Sequence, residues 1–229
     1  MDAATRVQLS GLVFTLLVPA AAVILTLFVG RRLVRDVEAR PMVVGLATLA
    51  GLFAAHVGVL GRPTFPVTDA HHWVLFAAWA AAAAGLAADR FRPPARPFVI
   101  GAIAVALIGL FTWRLLAPLA SLWDAGVLAP LSQSAYVLDA AALLLVTWLA
   151  VDHAAREAPA PAVLGPLALA FAAAAGAVGV SGSASIAQAC GAMGVAVGAV
   201  ALAGWRWPDL RPGHGAVGAA VLAYGLLVL

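Results

Sequence analysis

The chain contains no lysine and one cysteine, and only 10% of its 229 residues are charged. Each scarcity excludes something. A soluble domain carries roughly 25% charged and roughly 45–50% apolar residues. Here 64% are hydrophobic and the mean hydropathy is +1.04, which leaves too little polar surface to wrap a water-soluble globule. Cys190 stands alone in an apolar run, so there is no intramolecular disulfide and no CxxC metal knuckle. It reads as a small buried hydrophobe.

The net charge is +3, the pI is near 10, and all thirteen basic residues are arginine. Absence of lysine in an alanine-rich chain reads as a high-GC coding bias, and no chemistry is attached to it. The arginines are divided among short loops and form no basic face or arm, which excludes a nucleic-acid binder. No cofactor is expected.

What the chain has in quantity is long apolar runs. A helical span needs roughly 20 apolar residues to cross about 30 Å of hydrocarbon. Eight runs qualify: Leu9–Gly30, Pro41–Leu60, His72–Ala88, Phe98–Leu119, Ser134–Val151, Ala162–Val180, Ser185–Gly204 and Gly213–Leu229. The expected fold is an all-α polytopic membrane bundle of about eight spans forming one domain. The first run is too long for a signal peptide and is not followed by a polar mature start, so it reads as an uncleaved span. The chain stops at Leu229 inside an apolar run. Either the last helix ends flush with the membrane or the chain is cut short there.

Arginine placement orients the bundle. Alternate loops hold ten arginines (Arg31, Arg32, Arg35, Arg40, Arg90, Arg92, Arg96, Arg156, Arg206, Arg211), whereas the opposite side holds Arg6 and Arg62. The N-terminus is therefore expected outside and the arginine-rich loops in the cytoplasm, in what reads as a bacterial cytoplasmic membrane. Tryptophans agree with this belt: Trp73 and Trp123 at outer ends, Trp148, Trp205 and Trp207 at inner ends. A faint echo relates Pro41–Gly45 to Pro161–Gly165 and Gly101 to Gly215. It raises a parallel four-plus-four repeat, roughly 1–117 and 118–229.

Ionisable groups inside spans are costly, so each is a functional candidate. At a rise of 1.5 Å per residue, His56 lies roughly 22 Å and Arg114 roughly 24 Å from the cytoplasmic side. Asp139 lies about 8 Å in from the other side. All three fall in the outer third, beside Asp69, His71, His72, Ser132, Gln133, Ser181, Ser183, Ser185 and Gln188. This layer suggests a polar pocket open to the outside.

Arg114 and Asp139 are at matching depth on consecutive antiparallel spans. They suit a structural ion pair or, with the planar guanidinium fork, a clamp for an anionic ligand. His56 is a candidate proton carrier and His72 a candidate partner. Asp69 reads first as a helix cap. With His56 and His72 it also makes a weak two-histidine, one-carboxylate metal candidate that matches no fixed motif. Gly179-Val-Ser181-Gly182 repeats the GxSG string found around the nucleophile of rhomboid-type intramembrane proteases. That chemistry needs a histidine at the same depth, and the later His214 is expected on the opposite side.

Small residues at Ala187, Gly191, Gly194, Gly198 and Ala201 share one helical face. They suit close packing within the bundle or an oligomer contact through Gly194 and Gly198. The leading expectation is a small transporter or ligand-binding permease. The alternatives are a non-catalytic membrane subunit or scaffold and, more remotely, an intramembrane enzyme.

Overall fold

The computed structural model describes residues 11–36, 39–63, 65, 67, 70–88, 96–116 and 132–228. Among the described residues the bundle has eight α-helices and no strand. They are α1 (Val18–Leu33), α2 (Arg40–Leu60), α3 (Ala70–Ala88), α4 (Arg96–Leu116), α5 (Gln133–Glu157), α6 (Ala160–Val180), α7 (Ala184–Arg206) and α8 (His214–Val228). Among the described residues five helical segments are long and apolar enough to cross a membrane: Val13–Leu33, α2, α5, α6 and α7. Shorter apolar helices cover His71–Ala87, Phe98–Arg114 and His214–Val228. The protein is a multi-pass helical membrane bundle.

Local chemistry sets the helix ends. Val13–Leu17 is a π-helical turn entering α1, just before Pro19. Proline has no N–H to give, and its ring crowds the carbonyl four residues back, so a widened turn relieves the conflict. Thr15, Thr26, Thr48 and Thr147 each donate a hydroxyl hydrogen bond to the carbonyl four residues earlier, which hides a polar group in an apolar span. Gly182 closes the turn between α6 and α7 at a φ of 98°, a left-handed conformation that side chains disfavour.

The helices alternate up and down. Gly30 meets Val43, Gly85 meets Gly215, Gly204 meets Pro161, and Gly213 meets Pro41. These contacts gather the described parts of the arginine-bearing loops at one end, called here the arginine-rich end. The C-terminus of α2 and the N-terminus of α3 lie at the other, the histidine end.

The bundle is built around α8, in which only Tyr224 and Val228 are not buried. A helix apolar on every side belongs inside other helices. At 15 residues it is about 22 Å long, short for a hydrocarbon core, and it has protein around it. It packs on α2, α3 and α5. The α3 crossing is close, because Gly85 and Gly215 face each other with backbone in contact. α6 pairs with α7, and α7 also packs on α1 and α2. The two sequence halves therefore share one core.

Gly194 is taken up in the α6–α7 seam, where a Cβ would lie 2.8 Å from that of Phe171. Gly198 faces Ala168 of α6 in the same seam. Both glycines thus let α6 and α7 approach closely within the chain.

Candidate functional site

At the histidine end the structure joins His56 and His72. His56 Nε2 and His72 Nδ1 are 2.8 Å apart, and both residues are buried. α2 supplies His56 one turn before its end, and α3 supplies His72 in its first turn. A hydrogen bond between two ring nitrogens holds one proton between them. Among the described residues no group of three or more His, Cys, Asp or Glu could hold a metal. Asp69, the third member of the metal candidate, lies outside the described residues, as do Arg6, Trp123 and the segment 117–131.

The ion pair expected between Arg114 and Asp139 is a correction. Both are exposed, and no ion pair links them. The Arg114 guanidinium instead lies 5.5 Å from the centre of the Trp73 ring, a cation–π contact. Matching depth on consecutive helices does not fix azimuth, and both side chains are exposed.

Three further polar residues of that layer serve helix ends. The Ser132 hydroxyl accepts from the Ala135 N–H, the Gln133 side-chain amide donates to the Leu116 carbonyl at 2.8 Å, and the Ser181 hydroxyl donates to the Val178 carbonyl at 2.7 Å. Ser181 has no hydrogen bond to a histidine, so the GxSG string is a turn with a capped helix end.

The cluster missed from sequence is at the arginine-rich end. α5 runs to Glu157, well past the Val151 expected from hydropathy. The extension keeps Asp152 and Arg156 helical and one turn apart, so both face the same way. Asp152 is 1% exposed. Its Oδ1 meets His214 Nδ1 across the α5–α8 contact, and its Oδ2 accepts from Arg156 Nη2 at 2.8 Å. A carboxylate in this position is held by two donors on its two oxygens. Trp148, one turn further into α5, is 1% exposed and lies against Gly218. Its place in the core corrects the expectation of an interfacial belt residue. The buried indole N–H has no partner.

A cavity of about 790 Å³ opens beside this cluster. α2 lines it with Pro41 and Met42, α3 with Ala83, Leu86 and Ala87, and α5 with Asp152, Ala155 and Arg156. Arg211, Pro212, Gly213 and His214 close it at the start of α8, and Ala39 completes it before α2. Arg156 and Arg211 bring two positive charges against one carboxylate. Among the described residues no carboxylate pairs with Arg211, because Asp209 of the same loop is held by Arg31 at 3.3 Å and by Arg40. Arg31 also lies 4.8 Å from the centre of the Trp207 ring. The Asp209 cluster thus ties α1 and α2 to the loop before α8, and among the described residues the neighbouring cavity is lined by more positive than negative charge.

A second, almost wholly apolar groove of about 490 Å³ runs between α1 and α7 past Ala20, Ile24, Gly198 and Leu202, a surface fit for lipid tails. Compared with protein-family models, curated proteins and solved structures, the chain matches none.

Proposed function

We propose that this protein is a small permease or ligand-binding protein of a bacterial cytoplasmic membrane. Its ligand is a small-molecule anion bound at the arginine-rich, cytoplasmic end. The observation that carries the reading is the cavity in which Arg156 and Arg211 face the same space while Asp152 is occupied by His214 and Arg156. Guanidinium forks grip carboxylate or phosphate through two parallel hydrogen bonds. Apolar walls lower the local dielectric and strengthen that attraction. Asp152 is a positioning residue: it fixes the angle of Arg156 and ties the start of α8 to α5.

The reading replaces an outward pocket built on Arg114 and Asp139 by an inward one. In it, the conformation described is open to the arginine-rich end. The close α3–α8 crossing at Gly85 and Gly215, with Ala78, Ala81 and Ala82 buried beside it, closes the way to the histidine end.

The test is binding and flux in reconstituted vesicles. Protein in proteoliposomes should bind anions and exchange them across the membrane, and the R156Q/R211Q variant should lose both. Anion binding and flux equal to those of protein-free vesicles would overturn the reading.

The second reading is a non-catalytic scaffold. It is favoured by the complete pairing of the Asp152 carboxylate, which also suits a clip that does nothing but lock α5 to α8. On that reading anions leave the protein's melting temperature unchanged, and R211Q behaves as wild type.

A further inference from the structure

Two walls of the cavity differ in chemistry, and the difference narrows the ligand. The α5 and loop side carries Arg156, Arg211 and His214. The α2 and α3 side offers Met42, Ala83 and Leu86 with no charged group. Nine of the thirteen lining residues have no polar side chain. A compact hydrophilic anion would satisfy the arginines and leave the opposite wall wet, and burial of apolar surface would contribute nothing to its binding.

The cavity also sits at the end of the bundle, level with the ion cluster of Asp209 and the Arg31–Trp207 stack. Clustered arginines and the Trp207 indole suit the membrane–water interface, where basic pockets between helices meet anionic head groups. At about 790 Å³ the space falls within the roughly 300–1,000 Å³ of small-molecule sites. It is large enough for a head group and the first part of a chain.

We propose that the ligand is a single-chain anionic amphiphile. Its phosphate or carboxylate is gripped by Arg156 and Arg211, and its hydrocarbon lies against Met42, Ala83 and Leu86. The inference rests on the anion-site reading and adds the apolar half of the ligand. Phosphate and carboxylate share this recognition chemistry, and so do a membrane lipid and a free metabolite. The experiment separates these sources.

The protein is placed in phosphatidylcholine nanodiscs, and its affinity is measured for four probes: lysophosphatidic acid, a fatty acid, the neutral monoacylglycerol and inorganic phosphate. Native mass spectrometry and thermal shift give two independent readouts. The anionic amphiphiles should bind at least about tenfold more tightly than inorganic phosphate and than monoacylglycerol, because each charge-assisted contact and the tail contribute separately. R211Q should weaken the anionic amphiphiles about tenfold or more and leave monoacylglycerol unchanged.

A83F supplies the complementary variant. Ala83 is exposed on α3, so the bulk should project into the cavity without unpacking the core. A83F should weaken lysophosphatidic acid more than it weakens inorganic phosphate. Equal affinity for phosphate and lysophosphatidic acid would overturn the amphiphile and leave the anion site standing. Equal affinity for monoacylglycerol and lysophosphatidic acid would overturn the charge grip. No binding of any anion would overturn both the site and this inference.

Discussion

At the histidine end, polar residues are numerous in the sequence but dispersed in space. His56 and His72 close on each other, Arg114 leans on Trp73, Asp139 is exposed, and Gln133 and Ser181 cap helices. At the arginine-rich end, by contrast, four charged or titratable side chains line one cavity. The difference teaches that depth in the membrane is only one of two coordinates. A functional cluster also needs convergence around the helix axis, and that is set by which helices touch. α8 touches both α3 and α5, so residues at its start lie between them.

The strongest way to break the contrast is to remove the carboxylate that organises the arginine-rich end. Asp152→Ala strips His214 and Arg156 of their shared partner. It should cost about 3–5 kcal/mol, the usual consequence of opening a buried pair, and denaturant unfolding in detergent would measure it. Gly215→Val comes next. A Cβ there would lie 2.9 Å from the Ala82 carbonyl oxygen, and forcing the helices apart should cost about 1–3 kcal/mol. A thermal melt that matches wild type would refute the close crossing.

The histidine end should respond differently. His56→Leu removes one partner of a buried hydrogen bond and should cost about 1–2 kcal/mol, whereas changing His56 and His72 together to leucine should recover most of that. Anion binding should be unaffected by either. Smallest of all, Arg114→Gln and Asp139→Asn should each stay within about 0.5 kcal/mol of wild type. The double variant should show no coupling energy, since the two side chains make no contact. Coupling above about 1 kcal/mol would restore the ion pair expected from their depths.

Much of the fold was legible because hydropathy is a strong signal. Eight apolar runs became eight helices, and arginine alternation matched the up-down order at the described loops. The His56–His72 contact was also within reach: both residues flank one short connection, at the same depth. Asp152 was not, because the apolar run ends at Val151 while the helix continues to Glu157. The available signals were the four-residue spacing of Trp148, Asp152 and Arg156 and a histidine opening the last run. Neither says that α5 and α8 are neighbours, which is a fact of packing. Arg114 and Asp139 failed for the same reason in reverse. Their matching depths predicted a pair, and depth alone does not say where around α4 and α5 a side chain lies.

The central claim, that the arginine-rich end binds the ligand and the histidine end does not, has a direct test. Lysophosphatidic acid affinity is measured in nanodiscs for two variants that each neutralise two charged side chains, R156Q/R211Q and R114Q/D139N. The account predicts that the first binds at least about tenfold more weakly and that the second binds as wild type does. Loss of binding in R114Q/D139N with R156Q/R211Q unaffected would contradict it.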